Sequence, residues 1–543
     1  MNARRAALKL AAGAAALSGG ALFAASFGGV LPAPVRALLA LLLWTALLFS
    51  TSRLKPLSAF ALVWAFGLGW FAPGLAWTSE SMIAHGHVPV PLAYAGVALL
   101  GLICGFFPAL AAGLASRFTE GPARAILAAS LIGLLEWVRG SGLVDFGWLT
   151  PAYALLDTPW AGFAPVFGAE GVGIGFLLTA GLVAAGLGWL FSFGHKHSVR
   201  GAASFAAALL TVLAGWGLTV VPWYEPASPV PYRMIQANQP VADLFTRVDP
   251  VSRIEEVRAL LRGVAPVRPG VPVLTPEGVL PTAWDRLPEA AREAWVGLLA
   301  EAAAPVLHTN FRPTPAGWAN SAFWQTPDGG LVINDKRKLV PFGEYVPAGF
   351  RWFTDLLGIP MADLAEGAAD QPNPEWAGRT YGLLICYENL DGTVLRDLAA
   401  ARVPDVFLIT SNLGWFGPAV QGQHLDMTRM RALEAARPIL SVNMNGMSAA
   451  VDASGRVLAA LPTGTTGVLQ GTVPGAAGAP TPYLRWGVLP ILILTVLTAG
   501  IALVLGRPRR CRANASPICI TSLVSRQCTE APRQSFGTAS ASA

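Results

Sequence analysis

Cys386 ends the apolar run Gly382-Leu383-Leu384-Ile385 and is followed by Tyr387-Glu388-Asn389. This pattern predicts a buried strand that stops at the thiol and gives way to a helix. At such a turn a cysteine is exposed, and neighbouring amides or a helix N-terminus lower its pKa, which suits acyl chemistry. A thiol nucleophile needs a base and a charge to stabilise an oxyanion. Glu277 closes another apolar run, Val271-Pro272-Val273-Leu274-Thr275-Pro276, where partial burial would bring a carboxyl group towards a base's working range. Lys336 opens the block Lys336-Arg337-Lys338-Leu339-Val340-Pro341-Phe342-Gly343-Glu344-Tyr345-Val346-Pro347. A carboxylate, an ammonium and a thiol, each at a strand edge, make an acyl-transfer set, although Glu277 or Lys336 taken singly reads more readily as a solvated surface residue. His424, opening a helical stretch at 421–436, leaves a Cys386–His424 dyad as a second arrangement. His85, His87, His195 and His197 sit beside no carboxylate pair at a metal-binding spacing, so no metal is expected.

The elements that position these groups lie largely in lipid. Of 543 residues, 53% are hydrophobic and 13% charged, and the mean hydropathy is +0.50. Such averages exclude a disordered chain, a collagen-like fibre and a nucleic-acid binder, even with a formal net charge of +6. Crossing about 30 Å of hydrocarbon takes about 20 apolar residues. Eight runs qualify: 10–35, 37–51, 56–78, 88–116, 125–142, 171–193, 201–221 and 486–506. The second is short and the fifth carries Glu136 and Arg139, so seven is an alternative count.

Arg4, Arg5 and Lys9 precede the first run, and basic residues follow the second, fourth, sixth and eighth. Lys and Arg are retained on the cytoplasmic side. Both termini are therefore expected in the cytoplasm, and the polar segment between the seventh and eighth runs on the exterior or periplasmic side. Trp223, Tyr224, Tyr483 and Trp486 suit an interfacial belt. The first run also has features of a cleaved signal peptide. Glu136 and Arg139 read either as a functional pair or as a local ion pair reaching for the interface. Gly171, Gly173 and Gly175 read as helix packing rather than a phosphate loop.

The expected organisation is seven transmembrane helices over 1–222, a catalytic domain over 223–482, an eighth helix over 483–506 and a disordered tail over 507–543. Candidate strands in the catalytic segment are 232–237, 271–274, 305–309, 322–325, 331–334, 382–386, 405–410, 439–442, 449–452 and 468–472. Turn signals at 327–330 and 452–455 would close hairpins. Helical stretches at 253–262, 283–303, 391–401 and 421–436 alternate with the strands, the pattern of one layered α/β domain. Cys386 is the only cysteine in this segment. Cys104 lies in the fourth run, and Cys511, Cys519 and Cys528 lie in the tail.

Leu339-Val340-Pro341-Phe342-Gly343-Glu344-Tyr345-Val346-Pro347, Ile385-Cys386-Tyr387-Glu388, Trp415-Phe416-Gly417, Arg429-Met430-Arg431-Ala432-Leu433-Glu434 and Glu136-Trp137-Val138-Arg139-Gly140 occur in one order along the chain. Together they resemble the bacterial apolipoprotein N-acyltransferase family, a membrane-bound branch of the nitrilase, or carbon-nitrogen hydrolase, superfamily, from the first run to about residue 505. The resemblance implies an αββα sandwich on an eight-helix platform, with a Glu-Lys-Cys triad at Glu277, Lys336 and Cys386. Lys336 is chosen over Lys338 because the family's lysine stands eight residues before the glutamate that falls on Glu344. Glu344, Tyr387 and Glu388 match supporting residues, and Phe245 stands for a tryptophan near the substrate entrance. Trp415 and Phe416, and the apolar stretch 352–357, are candidates to line the acyl route.

The implied partners are a phospholipid acyl donor and a diacylglyceryl-modified apolipoprotein, reached from the inner membrane with no cofactor. A membrane-tethered amidase or nitrilase with the same triad is the rival reading. Three positions depart from the family pattern: Thr275 before Pro276-Glu277, Asn334 two residues before Lys336, and Leu413-Gly414 within Ser411-Asn412-Leu413-Gly414-Trp415-Phe416-Gly417.

Overall fold

Eight long helices form where the eight apolar runs lie, in a computed structural model that describes residues 2–141, 145–192, 194–241, 249–264, 270–280, 283–349, 351–352 and 363–507. They are α1 (Asn2–Ala24), α2 (Ala33–Thr51), α3 (Pro56–Gly74), α5 (Val90–Phe118), α6 (Ala123–Gly140), α7 (Ala164–Leu190), α8 (His195–Thr219) and α14 (Leu489–Leu505), with a short α4 (Thr78–Ala84) between α3 and α5. Six are long and apolar enough to cross a membrane. The other two are α6, which carries Arg124, Glu136 and Arg139, and α14, which has 17 residues.

The first helix begins and ends earlier than its apolar run. Gly28 and Gly29 both adopt positive φ, which closes the chain into a turn before Pro32. α1 and α3 meet backbone to backbone: a Cβ on Gly20 would lie 2.0 Å from the Phe66 carbonyl oxygen. The Gly171–Gly175 stretch lies inside α7, all three glycines buried, and serves packing as expected.

The α/β part contains two six-stranded sheets. The first runs β12-β1-β2-β3-β4-β5 and the second β11-β10-β9-β8-β7-β6. The first set comprises β1 (Glu225–Gln236), β2 (Val273–Leu274), β3 (Val306–Thr314), β4 (Gly317–Gln325), β5 (Leu331–Asp335) and β12 (Gly467–Ala477). The second comprises β6 (Glu375–Trp376), β7 (Arg379–Ile385), β8 (Val406–Ser411), β9 (Ile439–Asn443), β10 (Ala449–Val451) and β11 (Val457–Ala460). In each sheet three parallel strands form the centre, β1-β2-β3 and β7-β8-β9, with antiparallel strands outside. All ten expected strands form, and β4-β5 and β10-β11 are the two expected hairpins.

Apolar side chains from both sheets, among them Met234, Leu307, Trp324, Leu383, Leu408 and Leu440, fill the space between them. Helices α9 (Pro250–Arg262) and α10 (Glu289–Ala302) cover one outer face through Ile254, Val257 and Trp295. Helices α11 (Gly392–Leu398) and α12 (Ala419–Ala435) cover the other through Leu395, Ala432 and Ala435. This is the expected αββα sandwich.

The α12 face is also the face that meets the helical bundle. Tyr387, Leu390, Leu413, Met427 and Met430 belong to the same buried cluster as the membrane helices. The end of α1 docks on α12 directly, where the Gly28 amide donates to Asp426 at 2.9 Å and a Cβ on Gly422 would lie 2.4 Å from the Gly28 carbonyl oxygen. On the short helix α13 (Pro482–Trp486), Tyr483 does not stand in an interfacial belt: it is buried, against Gly168, whose positive φ breaks the start of α7. Trp486 does remain exposed. Met1–Gly506 form one compact unit, while the tail expected to be disordered lies, from 508 on, outside the described residues.

Candidate active site

Four chain segments deliver the candidate groups just beyond strand ends. After β2, Thr275 continues the ladder by donating from its amide and its hydroxyl to the Leu307 carbonyl, at 3.0 and 2.9 Å, and so carries Glu277 past the sheet. After β5, the Lys336 amide donates to the Asn320 carbonyl of β4 at 2.7 Å, fixing the lysine's backbone to its neighbour. After β7, Cys386 adopts φ 50°, a left-handed conformation unusual for a non-glycine residue, at the first position of a short 3-10 turn. The fourth segment follows β8 and presents the Asn412 amide.

These segments bring Glu277, Lys336 and Cys386 together. The Cys386 thiol hydrogen-bonds to Glu277. Glu277 also accepts from Asn320 Nδ2 at 2.8 Å and from the Asn412 amide at 3.0 Å, and lies 3.7 Å from Lys336 Nζ. Lys336 is 1% exposed, and its Nζ donates to Glu344 Oε1 at 2.8 Å. Glu344 is held in turn by the Val340 amide at 2.8 Å and by Asn320 at 3.1 Å. Lys338, the other lysine of the block, points elsewhere, towards Asp145 and Asp391.

Burial alone would lower the Lys336 pKa, but the Glu344 and Glu277 carboxylates, with Cys386, outweigh it and hold the ammonium well above its ordinary value. Burial pushes the Cys386 thiol in the opposite functional sense to the expectation, well above 9.0. Glu277 adds to that rise by charge and by accepting the thiol hydrogen bond, while Lys336 only partly opposes it. The resting group is thus a neutral thiol beside the Glu277 carboxyl group.

Glu388 is buried and ties two of these segments together. One carboxylate oxygen accepts from the Arg337 amide at 2.7 Å and the other from the Ile385 amide at 2.7 Å, so it locks the residue after Lys336 to the residue before Cys386. Burial raises its pKa, and those two amides work against the rise. Tyr387 donates to the Asp145 carbonyl at 3.2 Å and stacks with Trp148, turned towards the helical bundle. His424 is no partner for the thiol. Its ring bonds to the main chain of Cys386 and lies 3.2 Å from Asn389, and burial lowers its pKa to about 4.

Phe416 packs edge-on against Trp77 at 4.8 Å, and Trp415 against His85 at 5.1 Å. Both therefore stand where the catalytic domain meets the α3–α5 end of the bundle. Trp352 is exposed, whereas Phe245 and 353–357 lie outside the described residues. At the three departing positions, Thr275 is fully buried and bonded as above, Asn334 donates to the Pro372 carbonyl at 3.0 Å, and Leu413 is buried in the bundle cluster. Sequence reasoning missed Asn320, which joins Glu277 to Glu344. Its signal was a polar Asn320-Ser321 pair inside an otherwise apolar strand. The Asn412 contact uses a main-chain amide and leaves no signal in residue type.

Two family models match the chain: the apolipoprotein N-acyltransferase N-terminal domain over residues 19–182, and carbon-nitrogen hydrolase over residues 275–483. The apolipoprotein N-acyltransferase of Bordetella bronchiseptica is 37% identical over 493 residues, covering 83% of this chain and 89% of that protein. The namesake from Ralstonia nicotianae is 35% identical over 464 residues, covering 83% and 85%. That from Vibrio cholerae is 28% identical over 487 residues, covering 86% and 92%.

Proposed function

The chain belongs to the apolipoprotein N-acyltransferase family, and we propose that it moves a fatty acyl chain from a membrane phospholipid, through a thioester on Cys386, to the N-terminal α-amine of an S-diacylglyceryl-cysteine lipoprotein. The observation that carries this reading is the thiol bonded to Glu277 beside a buried ammonium, on the face of the sandwich that meets the helical bundle.

In the first half-reaction Glu277 takes the thiol proton as sulfur attacks the ester carbonyl carbon. The carbonyl oxygen becomes an oxyanion beside Lys336, whose charge stabilises it. The C–O bond breaks, the proton passes from Glu277 to the departing lysophospholipid oxygen, and the acyl group stays as a thioester. In the second half the α-amine attacks that thioester, Glu277 takes its proton, the C–S bond breaks and the proton returns to sulfur. Ester to thioester to amide runs downhill overall, so no nucleotide is required. A raised thiol pKa fits this cycle, because the thiolate need form only as the oxyanion does, with Lys336 compensating the charge.

Lipid anchoring explains the helical platform. Acyl chains contribute about 0.8 kcal/mol per buried CH₂, so neither substrate can be drawn into water. The basic borders of the apolar runs support an inner-membrane protein with both termini cytoplasmic and the catalytic domain periplasmic. Trp415 and Phe416 are proposed to line the acyl route, with Phe245 near the entrance.

Purified protein incubated with phospholipid and a diacylglyceryl-cysteine peptide is expected to add one acyl chain to the peptide, read by mass, and Cys386→Ala to abolish the gain. Release of ammonia or free acid from small amides, without peptide acylation, would establish the hydrolase instead.

A further inference from the structure

The Glu136–Arg139 pair on α6 does not reach for the interface. Arg139 is fully buried, its Nη2 pairs with Glu136 at 2.7 Å, and its guanidinium lies over the Phe71 ring at 4.7 Å. Nε also donates to Glu136, at 3.2 Å, and Nη1 donates to the carbonyls of Phe146 and Trp148, the latter at 3.1 Å. One guanidinium therefore holds α6, α3 and the main chain at 146–148 together. Taking such a pair out of water is costly, and its best-attested return is fixing one arrangement over others.

The segment held in this way makes three contacts with the stretches that carry Cys386 and Lys336. The Asp145 carbonyl accepts from the Tyr387 hydroxyl, and Tyr387 is the residue after Cys386. The Asp145 carboxylate takes Lys338, two residues after Lys336. Trp148 stacks with Tyr387 and donates its indole N–H to Gln423 of α12 at 2.6 Å, and Gln423 also accepts from Trp77 at 3.1 Å and donates to the Gly74 carbonyl at 3.0 Å. Asp145 and Leu149 both adopt positive φ, an uncommon state for such side chains and one that persists where the surroundings over-determine it.

We infer that Arg139, braced by Glu136, is a positioning residue for acyl transfer. From inside the bundle it sets the 145–148 segment, which in turn sets the neighbours of Cys386 and Lys336 so that thiol, base and ammonium stay in register. Arg139 itself touches none of the reacting groups. The inference rests on the acyl-transfer reading above, and the experiment separates the two.

Full-length protein in detergent or nanodiscs is loaded with phospholipid alone, and the hydroxylamine-labile acyl adduct on Cys386 is followed in a single turnover. Alkylation of Cys386 by iodoacetamide, which needs no lipid, is measured in parallel. Arg139→Lys keeps the charge and loses the planar fork. It is expected to slow adduct formation by roughly 10²-fold, the cost of an ångström-scale misplacement, to leave the phospholipid KM unchanged and to alter the alkylation rate. Asp145→Asn keeps the carbonyl that Tyr387 uses and weakens the Lys338 contact. It is expected to slow adduct formation several-fold, and it decides the matter alone should Arg139→Lys fail to yield folded protein.

Adduct formation and alkylation at wild-type rates in Asp145→Asn, and in Arg139→Lys where it folds, would overturn the positioning role. So would a loss confined to KM. Failure of the wild-type protein to form any adduct would instead overturn the acyl-transfer reading.

Discussion

Replacing Glu344 by Gln takes a negative charge from beside Lys336 at almost constant shape. At 2.8 Å and an effective dielectric of about 20 the gross attraction to Glu344 is about 6 kcal/mol, and at 3.7 Å that to Glu277 is about 4.5 kcal/mol. Most of this is offset by desolvation of the ammonium, so the net quantity at stake is closer to the about 1.5–3 kcal/mol of a hydrogen bond to a charged group. With Glu344 neutral, Lys336 is drawn to Glu277, the carboxylate proposed to accept the Cys386 proton. Ammonium and base then neutralise each other rather than serving oxyanion and thiol. If the whole net amount appears in the transition state, thioester formation slows by roughly 10- to 150-fold. The Gln amide also cannot accept from Asn320, Val340 and Lys336 together as the carboxylate does, so some loss of thermal stability is expected. The assay is single-turnover formation of the acyl-Cys386 adduct, with a melting curve on the same preparation. An adduct rate within twofold of wild type in folded Glu344→Gln protein would refute the assignment of Lys336 orientation to Glu344.

Lys336→Met is expected to abolish adduct formation, whereas Lys338→Met, which loses Asp145 and Asp391 rather than Glu277, is expected only to slow it; equal losses in the same assay would contradict the choice of lysine. Burial lowers the His424 pKa from 6.5 to about 4, so the unfolded chain binds a proton that the folded one refuses. The stability it contributes is present above pH 6.5 and is lost as pH falls towards 4, and His424→Asn should flatten that acid limb in melting curves. The Cys386 pKa is raised above 9.0, so its contribution is present below pH 9.0 and is lost above it, and Cys386→Ala should lessen the alkaline loss of stability. Gly20→Leu places a side chain where a Cβ already lies 2.0 Å from the Phe66 carbonyl oxygen, and should sharply reduce the yield of folded protein in the membrane fraction.

Much of this arrangement was legible in residue patterning because the relevant signals are local. A charge-free run of about 20 residues leaves a helix little choice in lipid, and apolar stretches bounded by turn residues located every expected strand. The two strands not foreseen are instructive. β6 has two residues, and β11 is an edge strand whose side chains alternate between exposed and half-buried, so neither carries an apolar run. Cys386, Glu277 and Lys336 stood out by type and by position at strand ends, but the choice of Lys336 over Lys338 came from the family resemblance. What hid was whatever depends on distant chain: the bridging Asn320, the Asn412 amide, and the use made of Arg139, whose sequence allowed interface and interior alike. The thiol pKa was read in the wrong direction because burial and the Glu277 charge are tertiary effects, while a helix start is visible locally.

The contact between Gly28 and the Asp426–Gly422 side of α12 ties the two ends of the chain's order together. The chain just past the leading helix forms part of the seat on which the α/β domain rests. Clipping the chain there would strip Asp426 of an amide donor and open the Gly20 seam on α3. The turn after α1 and the middle of α12, 398 residues apart in sequence, therefore share one packing surface, so that early and late parts of the chain close on each other.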